Sequence, residues 1–183
     1  MMQQASYKGT WDRYEDIRNL ARQVAHEQLP GFIKNRHGHL ISKEAVALSG
    51  LDHSVFRILS KWGGERRLAP WDWEDVRKKY KTHPKRFELS VWHRQVLCGA
   101  SIGRPTWSGH KLRLDLIEAN PDGSPLEGKI ADIVIIAGRF YAKAIGATQI
   151  RIMYPINDKV KEHYLGLGGF SFDAKGNFCY QDL

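Results

Sequence analysis

A carboxylate stands inside a run of leucines at residues 112–117, LRLDLI. In an extended chain successive side chains alternate between faces. Leu112, Leu114 and Leu116 then point one way, and Arg113, Asp115 and Ile117 the other. Burying an ionised carboxylate is costly unless it is paired or used. Asp115 therefore reads in two ways, as a proton acceptor or as half of a structural ion pair. Arg113 cannot be a base, but it can pair with Asp115 or hold an anionic substrate. Glu118 is a second carboxylate, on the opposite face unless the strand bulges. His37 and His39 form an H-x-H pair with no acidic or Cys companion nearby, which reads as a solvated loop and not a metal site. Cys98 and Cys179 make neither a disulfide framework nor a metal spacing, so no metal is expected.

These residues need a scaffold, and residues 111–172 read as strand, loop, helix, strand, helix, strand. A strand followed at once by a helix and another strand signals parallel pairing. The first strand ends at Pro121, and a long apolar helix spans residues 129–145. Ser124-Pro125-Leu126-Glu127 has the form of a capping box for that helix. Ahead of this unit, residues 86–109 alternate and turn as a hairpin, which makes the sheet mixed and mostly antiparallel.

The N-terminal third reads as helical. Thr10 is placed to cap a helix running to Leu29, with Tyr14, Ile17, Leu20, Ala21, Val24 and Ala25 on its inner face. Ser42 and Asp52 are placed to cap two short helices joined at Gly50, a spacing shared with helix-turn-helix units. Asp72 is placed to cap a further helix with Val76 and Tyr80 inside. Trp71 and Trp73 flank that cap, and Arg66, Arg67, Lys78, Lys79 and Lys81 make the segment basic. The expected organisation is a helical region over 1–65 packed on an α/β core over 66–183.

At 183 residues, 42% of them hydrophobic and six of them Trp, the chain can bury a proper core. No apolar run approaches a bilayer span, and MMQQASYKGTW lacks the apolar stretch of a secretory leader. No membrane partner is expected, and cytoplasm is the expected compartment. The net charge of +8 suits a polyanionic partner such as RNA, DNA or a phosphorylated cofactor, or simply a basic surface.

Two pieces of sequence resemble the acyl-CoA-binding half of the GNAT superfamily of N-acyltransferases. Ile117–Pro121 is similar to the family's L-x-V-x-P. Asn157, Val160, Tyr164, Gly168 and Phe170 are similar to N-x-x-A-x-x-x-Y-x-x-x-G-F, with one extra residue before the Phe. The resemblance implies a mixed sheet with flanking helices and an N-acyltransferase taking acetyl-CoA, or another acyl-CoA, to an amine acceptor by direct transfer. It implies Tyr164 as the acid that protonates the leaving thiolate, and Asp115 or Glu118 as the base. Backbone amides of Ile117, Glu118 and Ala119 would face the thioester, Ser124, Gly128 and Lys129 the phosphates, and Asn157 the pantetheine arm. Arg113 and Trp71 would border the acceptor, which could be tRNA or another nucleic acid; a dimer is compatible with all of this.

The phosphate-binding loop departs from the family's Q/R-x-x-G-x-G/A. DGSPLEGKIA is longer, Glu127 stands near the family's Arg, and Ile130 fills the second small position. Either the phosphates sit at residues 122–124 and 128–129 in an altered loop, or no cofactor binds. In the second case the chain is a cofactor-less GNAT-like scaffold acting as a nucleic-acid-binding or regulatory protein.

Overall fold

The computed structural model describes residues 7–183; the first six, where part of the no-leader reading falls, lie outside the described residues. Helix α1 (Tyr7–Gln28) leads into a small hairpin, β1 (Phe32–Lys34) and β2 (Leu40–Ser42). Then come β3 (Val46–Ser49), α2 (His53–Leu59), α3 (Trp73–Tyr80), β4 (Phe87–His93), β5 (Val96–Pro105) and β6 (Lys111–Ala119). The chain finishes with α4 (Ile130–Ala144), β7 (Gln149–Met153), α5 (Asp158–Gly166), β8 (Ser171–Asp173) and β9 (Phe178–Asp182). The main sheet has seven strands in the order β3-β4-β5-β6-β7-β9-β8. Among the described strands of this sheet only β6 and β7 pair in parallel. Among the described residues no helix is long and apolar enough to cross a membrane.

Each face of the sheet carries its own core. On one side α1 and α4 cover Leu89, Val91, Leu112, Leu114, Ile150 and Ile152. The α4 residues Ile133, Val134, Ala137 and Tyr141 recur at helical spacing and are all buried there. On the other side α2 and α3 bring Val55, Phe56, Leu59, Trp73 and Tyr80 onto Leu97, Ala100 and Ile102. Asp52 and Asp72 cap these two helices through the backbone N–H groups of Val55 and of Glu74 and Asp75, as their spacing predicts.

Three expectations for the N-terminal third are corrected. Thr10 lies within α1 and does not start it. Leu20, expected on the inner face, is exposed. That face is completed instead by Arg18, whose guanidinium donates to the carbonyls of Pro84 and Arg86 at 2.8 and 2.9 Å. Ser42 caps only a single 3₁₀ turn, Lys43–Ala45, through Glu44 N–H, and Val46–Ser49 is a sheet strand. The reason is tertiary. Residues 46–49 pair with Val91, Trp92, His93 and Ser90, so sheet hydrogen bonds replace helical ones. The helix-turn-helix reading of residues 42–62 falls with that strand, and residues 1–65 are not uniformly helical.

Gly103 sits where β5 meets β6, and a Cβ there would lie 1.9 Å from the carbonyl oxygen of Arg113. A backbone atom cannot swing aside as a side chain can. Gly103→Ala is therefore expected to destabilise the fold by about 3 kcal/mol, read as a lower urea midpoint with an unchanged m-value.

Candidate active site

Strand β6 pairs along its whole length with β5 but with β7 only at Lys111, Arg113, Leu112 and Leu114. Beyond Leu114 the two parallel strands part: β7 continues to Met153 bonded to β9, while β6 stays with β5. The parting follows a bulge. Ile102 lies opposite Leu116 and Gly103 opposite Leu114, which leaves Asp115 as the extra residue. The bulge also reverses the faces. Leu116 turns to the α2–α3 core, and Ile117 to the α1–α4 core, against the simple alternation. Glu118 consequently shares the α3 face with Asp115.

Both carboxylates are engaged. Asp115 accepts a short hydrogen bond from the Tyr80 hydroxyl and two from Arg113, at 2.8 and 3.1 Å. Glu118 accepts from Arg67 at 2.6 and 3.3 Å and from the Trp73 indole N–H at 2.6 Å. Glu118 and Trp73 are buried, and Arg67 also donates to the carbonyls of Trp62 and Trp71. Arg67 thus ties the loop between α2 and α3 to the free end of β6. Trp73 is a staple, while Trp71 is half-buried and its carbonyl accepts from Arg67. Donors from the α2–α3 loop and from α3 converge on Glu118 and fix its place between them. This geometry fits a strut better than the base its sequence position suggests. Burial and the Asp115 carboxylate both raise the Tyr80 pKa, so that phenol stays a donor.

The loop after β6 corrects the capping-box reading. Ser124 accepts from the N–H of Leu126, but α4 starts only at Ile130, with Lys129 at the cap position and no side-chain cap. Gly128, at φ +82°, separates the Ser124–Glu127 turn from the helix. A Cβ on Gly128 would come within 3.2 Å of Arg36, so the glycine also admits the β1–β2 hairpin. That hairpin docks through Arg36 N–H to the Glu127 carbonyl at 2.9 Å and Asn35 to the Pro125 carbonyl at 3.1 Å. The Glu127 carboxylate meets His37 at 2.8 Å and Arg36 at 3.5 Å. The His37 hydrogen bond and the nearby Arg36 charge hold that carboxyl below its ordinary range. His37 is therefore half of a pair with Glu127, not a free loop residue. Nothing in the spacing of residues 37 and 127 announces this contact.

Asn157 caps α5 by accepting from Val160 N–H at 2.9 Å, as expected. Tyr164, on the same helix, packs into the α1–α4 core, and burial pushes its pKa up to about 12. Its hydroxyl makes no hydrogen bond to a described residue and is not among the sealed polar atoms. It is a free donor on an otherwise buried ring.

A mixed seven-stranded sheet whose two parallel strands part at a bulge, followed by one helix after each, is the GNAT fold, the fold of N-acetyltransferases. Solved structures with this fold include spermidine N-acetyltransferase from Vibrio cholerae in complex with CoA and spermine. It is 14% identical, with a TM-score of 0.59, covering 76% of this chain and 96% of that one. An acetyltransferase from Thermus thermophilus aligns at a TM-score of 0.56 and 15% identity, over 76% of this chain and 97% of that one. A ribosomal-protein alanine N-acetyltransferase from Escherichia coli aligns at 0.55 and 11%, over 75% and 93%. No protein-family model matches the sequence, and no curated protein sequence matches it.

Removing one partner from a buried ion pair leaves the other charge uncompensated. Arg67→Met should accordingly cost about 3 kcal/mol of stability by chemical denaturation. It should also free the loop between α2 and α3 to proteolysis.

Proposed function

We propose that this protein is an acyl-CoA-dependent N-acyltransferase that moves an acetyl or other acyl group to an amine by direct transfer. The parting of β6 from β7 after Leu114 carries this reading, because it leaves strand N–H and C=O groups of residues 115–119 without a partner on the β7 side. Unpaired main-chain groups beside a cleft are suited to orienting a thioester and its amide-bearing arm. The solved structures with this fold support the same class of chemistry: one holds CoA and a polyamine, and another is named for acetylating an alanine amine.

An acyl-CoA supplies an acyl group activated as a thioester. The chain's residues would do the rest. Asn120 N–H bonds the Cys98 carbonyl, and successive N–H groups alternate sides, so Glu118 N–H turns to β5 while those of Ile117 and Ala119 turn to the gap, where they would polarise the acyl oxygen. Lys129 and the uncapped start of α4 would receive phosphate, with Arg36 beside them and Ser124 and Gly128 shaping the loop. Glu127 opposes that binding by like charge, and its pairing with His37 and Arg36 lessens the opposition. Asn157 sets the start of α5 and so the position of Tyr164. Tyr164 would hold a proton where the sulfur departs. Asp115 would take the amine's proton on Oδ2, which accepts only the Tyr80 hydrogen bond, while Glu118 and Arg67 hold the wall and Trp71 borders the acceptor.

Isothermal titration with acetyl-CoA should show saturable binding; none at high micromolar concentration would overturn the proposal. Tyr164→Phe should lower kcat about tenfold or more with little change in affinity for acetyl-CoA. Because the Tyr164 pKa lies above its ordinary value, its donor form persists as pH rises and is lost only near pH 12. The wild-type rate should show no Tyr164-dependent fall below about pH 11.

A further inference from the structure

Three arginines stand in register across three neighbouring strands. Arg104 of β5 pairs with Arg113 of β6, and Arg113 pairs with Arg151 of β7. Leu112, Leu114, Ile150 and Ile152 point into the α1–α4 core, so the arginines between them project from the opposite face. The row is about 10 Å across, two inter-strand spacings. Like charges directly opposite each other on adjacent strands are destabilising.

The chain does little to neutralise this row. Arg113 bonds Asp115. Arg104 donates to the imidazole of His83 at 3.3 Å. Burial and the cations Arg104, Lys79 and Arg86 lower the His83 pKa, so it answers Arg104 as a neutral acceptor. Arg151 donates to the Gln149 side-chain carbonyl at 2.7 Å and stacks 4.2 Å over the Phe178 ring. Each guanidinium has five N–H donors, and most of them find no acceptor among the described residues. One row further along, Lys111 adds a fourth cation and Asp182 a second carboxylate, the latter held by Gln149. All three arginines are half-buried, set into the sheet and not fanned over its surface.

The row's place gives it a function. Arg113 immediately precedes Leu114, the last β6 residue paired with β7, so the row lies at the vertex of the gap, on the face away from α4. We propose that the acceptor is a small amine carrying a phosphate or carboxylate, and that this anion seats on Arg104, Arg113 and Arg151 and holds the amine at the gap. This rests on the gap being the thioester's seat. A free polyamine does not suit the face, because its cations would meet the arginine row, and Asp115 and Glu118 are already engaged by arginines.

The anion site can be read without turnover. The Nε–Hε signals of Arg104 and Arg151 are followed by NMR with saturating CoA present, while inorganic phosphate, phosphoethanolamine, spermidine or a short RNA is added. The two phosphate probes should shift both signals saturably, and Arg151→Gln should weaken the midpoint about tenfold. Spermidine should leave the signals in place. With acetyl-CoA as donor, kcat/KM for phosphoethanolamine should exceed that for ethanolamine about tenfold or more, and Arg104→Gln with Arg151→Gln should abolish the difference. No shift with phosphate, a response to spermidine, or a response to RNA alone would overturn the proposal. Phosphate shifts in a protein that fails to bind CoA would keep the anion site and remove the transferase reading.

Discussion

Everything at this site follows from one strand being asked to pair on two sides and managing only one. β6 keeps its ladder with β5 from end to end, and the extra residue at Asp115 bends it away from β7. A parallel partner offers evenly spaced but slanted bonds, slightly weaker per residue than antiparallel ones. When the two ladders conflict, the parallel one yields. The sheet is therefore continuous at the level of Arg113 and open a few residues later. Met153 is not left stranded by this, because β9 takes it up through Phe178. The gap costs the fold unpaired β6 groups on one edge only.

Such an opening would close or fray if its walls were loose, and arginine contacts fix elements of the fold around the sheet. Arg67 links Glu118 to the carbonyls of Trp62 and Trp71, fixing the loop over the opening. Arg18 pins α1 to the backbone just before β4. Pairs of this kind add little net stability relative to apolar packing, but losing one partner is severe. They specify where a loop sits. The β1–β2 hairpin acts likewise on the loop ahead of α4, through backbone and side-chain bonds to Pro125 and Glu127. This hairpin and α1 precede β3 in the chain, so a segment early in the sequence shapes the loop ahead of α4.

What was legible in the sequence was local. Asp52, Asp72 and Asn157 were readable as caps because a cap needs only its own next three residues. The strand–helix–strand order around α4 and the β4–β5 hairpin were readable from period and turn chemistry. What failed depended on partners far along the chain. VALS looked helical after a capping Ser42 and became a strand because β4 supplied an edge. Ser124–Glu127 had the form of a capping box, yet Glu127 turned to Arg36 and His37, some ninety residues away. Simple alternation put Leu116 with Leu114, and a bulge that no single strand encodes reversed it. The arginine row was invisible for the same reason: Arg104, Arg113 and Arg151 have unremarkable spacing until the register of three strands aligns them.

If the free edge of β6 receives an acyl thioester, as proposed, amide hydrogen exchange will report it residue by residue. Amides within residues 115–119 not bonded to β5 should exchange fast in the free protein. They should slow markedly when a non-hydrolysable acetyl-CoA analogue is added, while those of residues 111–114 change little. Slow exchange across residues 115–119 in the free protein, or no protection on adding the analogue, would contradict it.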